Sequence, residues 1–370
     1  QNLPPQGEPA GEPVLLSETR TLTSGIAWAP SGQELVVCRA YSALVGPFDS
    51  RLYRVPANAP GQPVPLGLGQ CNTVTVARSS SGALLAYGSG DHTKARLWQA
   101  NVDALQAARP FAPSSRFDAL PAHSPDGAFV SFVSNRSGQP EVWLAKRDGS
   151  DPRKLTSGSY VASTPHWSPE GGRLVYAAAR PAGTGPQSNE HSLYVLGITG
   201  GEPRRVPLGP QPASFPAWTA DGTWLQYWSG DELWRVRPDG SDARKVGEFR
   251  AHFLKTNPLA GPELLYARSA APFEIRVASL EGPAAERVFA EGVAMPSFAQ
   301  SQKFAYFLQA SGQSLYAKPL AGGPGRRLGR LAVPDSRFLL GITVSPDDRH
   351  LVWSISDEQR LDLMLVRGFQ

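Results

Sequence analysis

Between clusters of Gly, Pro, Asp and Ser, the chain alternates apolar and polar residues in short runs such as Phe129-Val130-Ser131-Phe132-Val133 and Glu141-Val142-Trp143-Leu144. Period-two alternation bounded by turn residues predicts strands of twisted antiparallel sheets. The runs recur as a unit. Turn tetrads end at Gly32, Gly82, Gly127, Gly171, Gly222, Gly261, Gln302 and Asp348, 39 to 51 residues apart, and self-similarity at such a period is the signature of a β-propeller. Pro-Asp-Gly and Asp-Gly-Ser steps supply the reversals, because Pro presets one dihedral and Gly or Asp accepts the next.

Large side chains hold fixed places in each copy. Five residues past the tetrad stand Val37, Tyr87, Phe132, Tyr176, Tyr227, Tyr266, Phe307 and Trp353; the middle of each third strand carries Tyr53, Trp98, Trp143, Tyr194, Trp234, Arg276, Tyr316 and Met364. Rings at constant register fill the wedge between blades. The pattern predicts an all-β, eight-bladed β-propeller of four-stranded antiparallel blades, with seven blades as the alternative count and almost no helix. Residues 1–10, rich in Pro, Gln and Gly, read as a flexible leader, and residues 11–370 as a single propeller domain. At the end, Asp362-Leu363-Met364-Leu365-Val366 reads as the third strand of the last blade. Gly11-Glu12-Pro13-Val14-Leu15-Leu16 resembles Gly201-Glu202-Pro203-Arg204-Arg205-Val206, so the N-terminal strand is expected to close that blade as its outer strand.

Composition changes this picture little. With 41% hydrophobic and 18% charged residues, 37 Gly and 35 Pro, the chain reads as a turn-rich globular β protein. No run of about 18 apolar residues occurs, so no membrane span is expected in this chain. The net charge of +4 raises nucleic acid as a partner. Yet Arg153-Lys154, Arg204-Arg205, Arg244-Lys245 and Arg326-Arg327 all open outermost strands, where cations discourage edge-to-edge pairing. Spread around a rim, they make no stripe for a duplex, and no nucleic-acid binding is expected.

The repeat Ser124-Pro125-Asp126-Gly127, Ser134-Asn135-Arg136-Ser137-Gly138, Glu141-Val142-Trp143 resembles the TolB-like propeller repeat, also called the WD40-like or PD40 repeat. More narrowly, the segment from Ser24 to Val55, the order of strong and weak copies and the ending Leu361 to Gln370 are similar to the C-terminal sensor regions of bacterial CadC-like winged-helix regulators or serine/threonine kinases. That resemblance implies the sensing or interaction half of a signalling protein in the periplasm or another extracytoplasmic space; a cytoplasmic place is the alternative. It brings no catalytic residues and no cofactor.

Motifs for chemistry are missing from the sequence. There is no Gly-x-Ser-x-Gly elbow, no His-Glu-x-x-His, Cys-x-x-Cys or Walker loop, and the six histidines lack metal-ligand spacing. No catalytic or metal-binding residue is therefore assigned. His123 occupies a slot filled elsewhere by Trp28, Trp167 and Trp218 and reads as core, whereas His166, which precedes that slot, reads as facing the channel. Asn135-Arg136-Ser137 matches a glycosylation sequon but reads better as a hairpin turn. Cys38 and Cys71, in neighbouring blades, form either a disulfide or two buried thiols.

Binding residues gather on loops held by a rigid ring. The segments leading into the inner strands carry Arg116, Phe117, Asp118, Tyr160, Phe215, Arg250, His252, Phe253, Arg337 and Phe338, and with His166 these make the candidate site. Aromatics beside arginines are typical of interaction hot spots. A monomeric, non-enzymatic module is expected, binding a protein, peptide or small ligand at this face. The alternative is a metal-dependent hydrolase or lactonase acting in the channel.

Overall fold

A computed structural model describes residues 22–40, 50–58, 63–71, 73–79, 82–90, 95–158, 160–179, 192–208, 213–249, 256–258, 263–268, 273–280, 286–309, 314–331, 339–356 and 361–369. Strands dominate, and the one helical turn among the described residues is the 3-10 segment Leu105–Ala107. Among the described residues there are eight antiparallel sheets, seven of four strands and one of three. They fall into two compact units. Residues Gln1–His92 with Gln359–Gln370 form the smaller, and Thr93–Glu358 the larger.

The tetrads form for a local reason. Gly127 adopts φ +69°, where L side chains are strained. Its N–H donates to the Ser124 carbonyl, while the Ser124 hydroxyl donates to Asp126 at 2.5 Å and accepts the Phe129 amide at 2.9 Å. The hydroxyl thus staples the two strands of the hairpin. Ser168, Thr219 and Ser345 accept the corresponding amides of Arg173, Trp224 and His350.

The larger unit holds six sheets. The first is Asp118–His123, Phe129–Ser134, Glu141–Lys146 and Arg153–Lys154; the second Val161–Trp167, Arg173–Ala179, Ser192–Gly197 and Arg204–Arg205; the third Ser214–Trp218, Leu225–Ser229, Glu232–Val236 and Arg244–Glu248. The fourth is built on Glu263–Arg268 and the fifth on Phe304–Gln309. The sixth joins Leu339–Val344 and His350–Ser356 to Ala95–Asn101 and Arg109–Pro110. The first strands of the first four sheets touch in succession, Val293–Gln300 of the fifth sheet meets Glu263–Arg268 of the fourth, and Leu339–Val344 meets both Val293–Gln300 and Asp118–His123 of the first sheet. The last approach needs a glycine. A Cβ on Gly341 would lie 3.1 Å from Leu120 Cα and from Pro121 Cδ.

Cross-strand rings pair as the repeat register predicts in the interior copies: Phe132 opposite Trp143, Tyr176 opposite Tyr194, Tyr227 opposite Trp234, Phe307 opposite Tyr316. Two copies depart from it. Trp353 lies opposite Trp98 rather than Met364, and Met364 lies opposite Tyr87. The third strands expected for the second and last blades are therefore exchanged. Physically, Ala95–Asn101 leads into Leu105, which is buried with Trp353, Leu351, Tyr306 and Leu331, so this strand is drawn into the sixth sheet. The outer strand of that sheet is Arg109–Pro110, where the N-terminal strand was expected; residues 11–16 lie outside the described residues, as does the leader 1–10.

The smaller unit contains the four-stranded sheet Leu22–Trp28, Glu34–Ala40, Ser50–Pro56, Val64–Gln70 and the three-stranded sheet Leu361–Arg367, Gly82–Gly90, Thr73–Ser79. Its core gathers Val36, Leu52, Val74, Leu85, Tyr87 and Phe369 around Cys38 and Cys71. The cysteines form a disulfide.

Candidate functional site

The segment leading into the first sheet is fixed from below by one arginine. Arg136 donates to Asp118 Oδ1 at 2.8 Å and to the Ala112 carbonyl at 2.9 Å, and its guanidinium lies over the rings of Phe132 and Trp143 at 5.2 and 5.0 Å. Ser114 donates to the other oxygen of Asp118 at 2.5 Å. The Asp118 side chain is 2% exposed and that of Arg136 14%. A buried carboxylate needs such pairing, because desolvating an unpaired charge costs several kcal/mol.

The same turn reaches both ways. Asn135 Oδ1 accepts the Phe117 amide at 2.9 Å, and Asn135 N–H donates back to the Phe117 carbonyl at 3.1 Å. On the other side, Gln139 donates to the Gly158 carbonyl, and Ala162 N–H donates to the Pro140 carbonyl at 2.9 Å. Residues 135–140 therefore tie the lead-in segments of the first and second sheets into one surface. The Asn135 side-chain oxygen is thus engaged in holding the Phe117 backbone.

The candidate residues separate accordingly. Arg116 is exposed, with its N–H held by Ser114 Oγ. Phe117 is buried at 5% exposure and Asp118 at 1%, so these two support the surface and do not present themselves on it. Tyr160, 38% exposed, ends a column of rings: its centroid lies 5.8 Å from Tyr194, which stacks on Tyr176 at 5.6 Å. Burial raises the Tyr176 hydroxyl above its ordinary pKa, with Tyr194 adding to the shift. His166 is half-buried, and its Nδ1 accepts the Trp218 amide at 3.3 Å, which joins the second inner strand to the third. Arg250, His252, Phe253, Arg337 and Phe338 lie outside the described residues.

Phe215 belongs to a feature the sequence reading missed. Leu120, Thr164 and Phe215 adopt φ of 55°, 47° and 47°, each seven residues before the end of its tetrad and each followed by proline: Pro121, Pro165 and Pro216. Proline has no N–H to give the ladder, and the register between first and second strand shifts at all three places. A left-handed non-glycine residue costs about 1–3 kcal/mol. The bulges re-aim their side chains, and Thr164 Oγ1 is buried without a hydrogen-bond partner. The signal was an Xaa-Pro step at constant distance from the tetrad.

His123 and His350 were not linked by the sequence either. Their rings meet edge to face at 6.0 Å. Burial, then His350 and Arg147, push the His123 ring down to about 3; burial, then Arg147 and Arg109, lower His350. Both rings are neutral at physiological pH. Thr343 Oγ1 accepts the His123 amide at 3.1 Å, so this pair joins the first and sixth sheets.

Residues 63–233 match the family described as PD40, TolB beta propeller domain. That stretch, a little under half of the chain, is similar to the TolB-like propeller family. A "Protein TolB homolog" of Chlorobium luteolum is 30% identical over 142 residues, which cover 37% of this chain and 30% of the relative. An "Uncharacterized peptidase YuxL" of Bacillus subtilis is 29% identical over 110 residues, covering 28% of this chain and 16% of the relative. The matches thus span under a third of these relatives' own length. Among solved structures, TolB from Acinetobacter baumannii aligns with a TM-score of 0.47 at 12% identity, over 78% of this chain and 80% of that one.

Proposed function

We propose that this chain is a non-enzymatic binding propeller that takes a protein or peptide on the surface carrying Arg116 and Tyr160. The observation that supports this most is the turn 135–140, which locks two lead-in segments together by four hydrogen bonds and leaves a cation and an aromatic ring outward. Rigid presentation lowers the ordering cost of association. Aromatic and arginine side chains dominate binding energies at such surfaces. The eight turn tetrads of the sequence support the reading of eight blades. The channel hydrolase reading loses its best carboxylate, because Asp118 is committed to Arg136 and Ser114.

The disulfide between Cys38 and Cys71 supports an oxidising, extracytoplasmic location. In that setting the domain serves as the sensing or interaction part of a regulatory protein. Selection from a random peptide library on the immobilised chain tests the binding reading. Recovered peptides should bind the parent and lose about 30-fold or more in affinity on the double substitution Arg116→Ala, Tyr160→Ala. Equal binding by the double variant, or metal-dependent turnover of esters or lactones by the purified chain, overturns it.

A further inference from the structure

The sheets of the larger unit carry different charge at their two ends. Each tetrad joins a first strand to a second, so the tetrads lie at one end of their sheets and the lead-in segments at the other, with the turns between second and third strands. The tetrad end is acidic. It carries Asp126, Glu170, Asp221 and Asp347, and successive tetrads adjoin: a Cβ on Gly127 would lie 3.4 Å from Pro346, one on Gly171 3.6 Å from Pro125 and one on Gly222 3.6 Å from Pro169. The hydroxyls of Thr219 and Ser345 hold Asp221 and Asp347 down at about 2, so both stay charged at physiological pH.

The lead-in end of the first two sheets is the reverse. Asp118 and Glu141 are only 2% and 4% exposed at the side chain, and they are paired with Arg136 and Lys154 at 2.8 and 3.3 Å. The segments 111–117, 134–140 and 155–160 contain no Asp or Glu. Arg116 is exposed there, and a parallel bridge between Ala95 and Phe117 brings another exposed arginine, Arg96, to the same edge.

We propose that the partner segment taken at this face is an acidic peptide, whose Asp or Glu carboxylate meets Arg116 while a neighbouring apolar or aromatic side chain packs on Tyr160. The inference rests on the binding reading above and adds the chemistry of the partner. A guanidinium and a carboxylate share two parallel hydrogen bonds. Opposite charge at the two ends steers an acidic segment to the lead-in end and away from the tetrads, and a basic segment meets like charge beside Arg116. The Tyr160 ring rests on the column of Tyr194 and Tyr176, so an apolar neighbour packs on a surface already ordered.

Selection from three random peptide libraries of equal length, on the immobilised chain, tests this. One library contains Asp and Glu but no Lys or Arg, the second Lys and Arg but no Asp or Glu, and the third none of the four. Binders should come from the first and weaken at least about tenfold from low to high salt. Arg116→Gln should cost them about tenfold in affinity and most of that salt dependence, whereas Tyr160→Ala should weaken them and leave the salt dependence in place. Binders from the basic or uncharged library that are lost on the double substitution Arg116→Ala, Tyr160→Ala would keep the binding reading and overturn the acidic one. So would acidic binders that hold Arg116→Gln as tightly as the parent. Failure of all three libraries would remove the binding reading, and this inference with it.

Discussion

Trp98 sits directly opposite Trp353 across neighbouring strands of the sixth sheet, although the two lie near opposite ends of the larger unit. Through this pair the larger unit holds its first strand to its last. Trp353 is fully buried, in a cluster with Leu351, Ile342 and Tyr306.

Trp353→Ala should therefore destabilise the larger unit by about 3–5 kcal/mol, the range for emptying a large aromatic site. Denaturant titration followed by tryptophan fluorescence measures it. A loss within about 0.5 kcal/mol, the range of an ordinary surface change, would place Trp353 outside a packed core.

Arg136→Met should cost about 3–5 kcal/mol, because it strands the buried Asp118 carboxylate without its cation. Adding Asp118→Asn to the same chain should recover much of that loss. Melting of the two single variants and the double variant forms the cycle; additive losses would show that the pair does not interact.

Acid should weaken the larger unit through His123. Its folded pKa near 3 lies below the ordinary 6.5, so the unfolded chain binds the proton first. The contribution is complete above pH 6.5 and is lost progressively as pH falls from 6.5 towards 3, by about 1.4 kcal/mol per pH unit. Between pH 7 and pH 5 the parent should lose about 2 kcal/mol from this group. His350, shifted in the same direction, adds to the slope. A His123→Gln variant should show a shallower dependence over that interval, and an unchanged slope would assign the acid sensitivity to other groups.

The sequence displayed the tetrads, the ring pairs and the basic outer strands because each is a local pattern of fixed period. It did not reveal which third strand completes which sheet. Ala95–Asn101 and Leu361–Arg367 carry the same alternation, so period alone accepts either beside Trp353, and Leu105 decides. Likewise Phe117 and Asp118 look like exposed loop residues in the sequence. Asp118 is held by Arg136 and the Phe117 backbone by Asn135, both of which arrive from the next hairpin. The proline bulges at Leu120, Thr164 and Phe215 were legible as Xaa-Pro steps, but their backbone conformation follows only from pairing with the second strand.

Reduction of the Cys38–Cys71 bond should selectively loosen the smaller unit. The bond closes a loop with a sequence separation of 33, which corresponds to about 3–4 kcal/mol on the chain-entropy account. Thiol titration of the denatured, unreduced chain should find no free thiol, and Cys71→Ser should lower the melting temperature of the smaller unit. Two reactive thiols per chain would remove the bond and the oxidising-compartment reading with it.

On the proposed function, partners bind where residues 135–140 join the two lead-in segments. Hydrogen exchange of the chain with and without a selected peptide tests this most directly. Exchange should slow at residues 113–118 and 160–162, with the tetrad turns 124–127 and 168–171 unchanged. Slowing confined to the tetrad turns, with residues 113–118 and 160–162 unaffected, would contradict it.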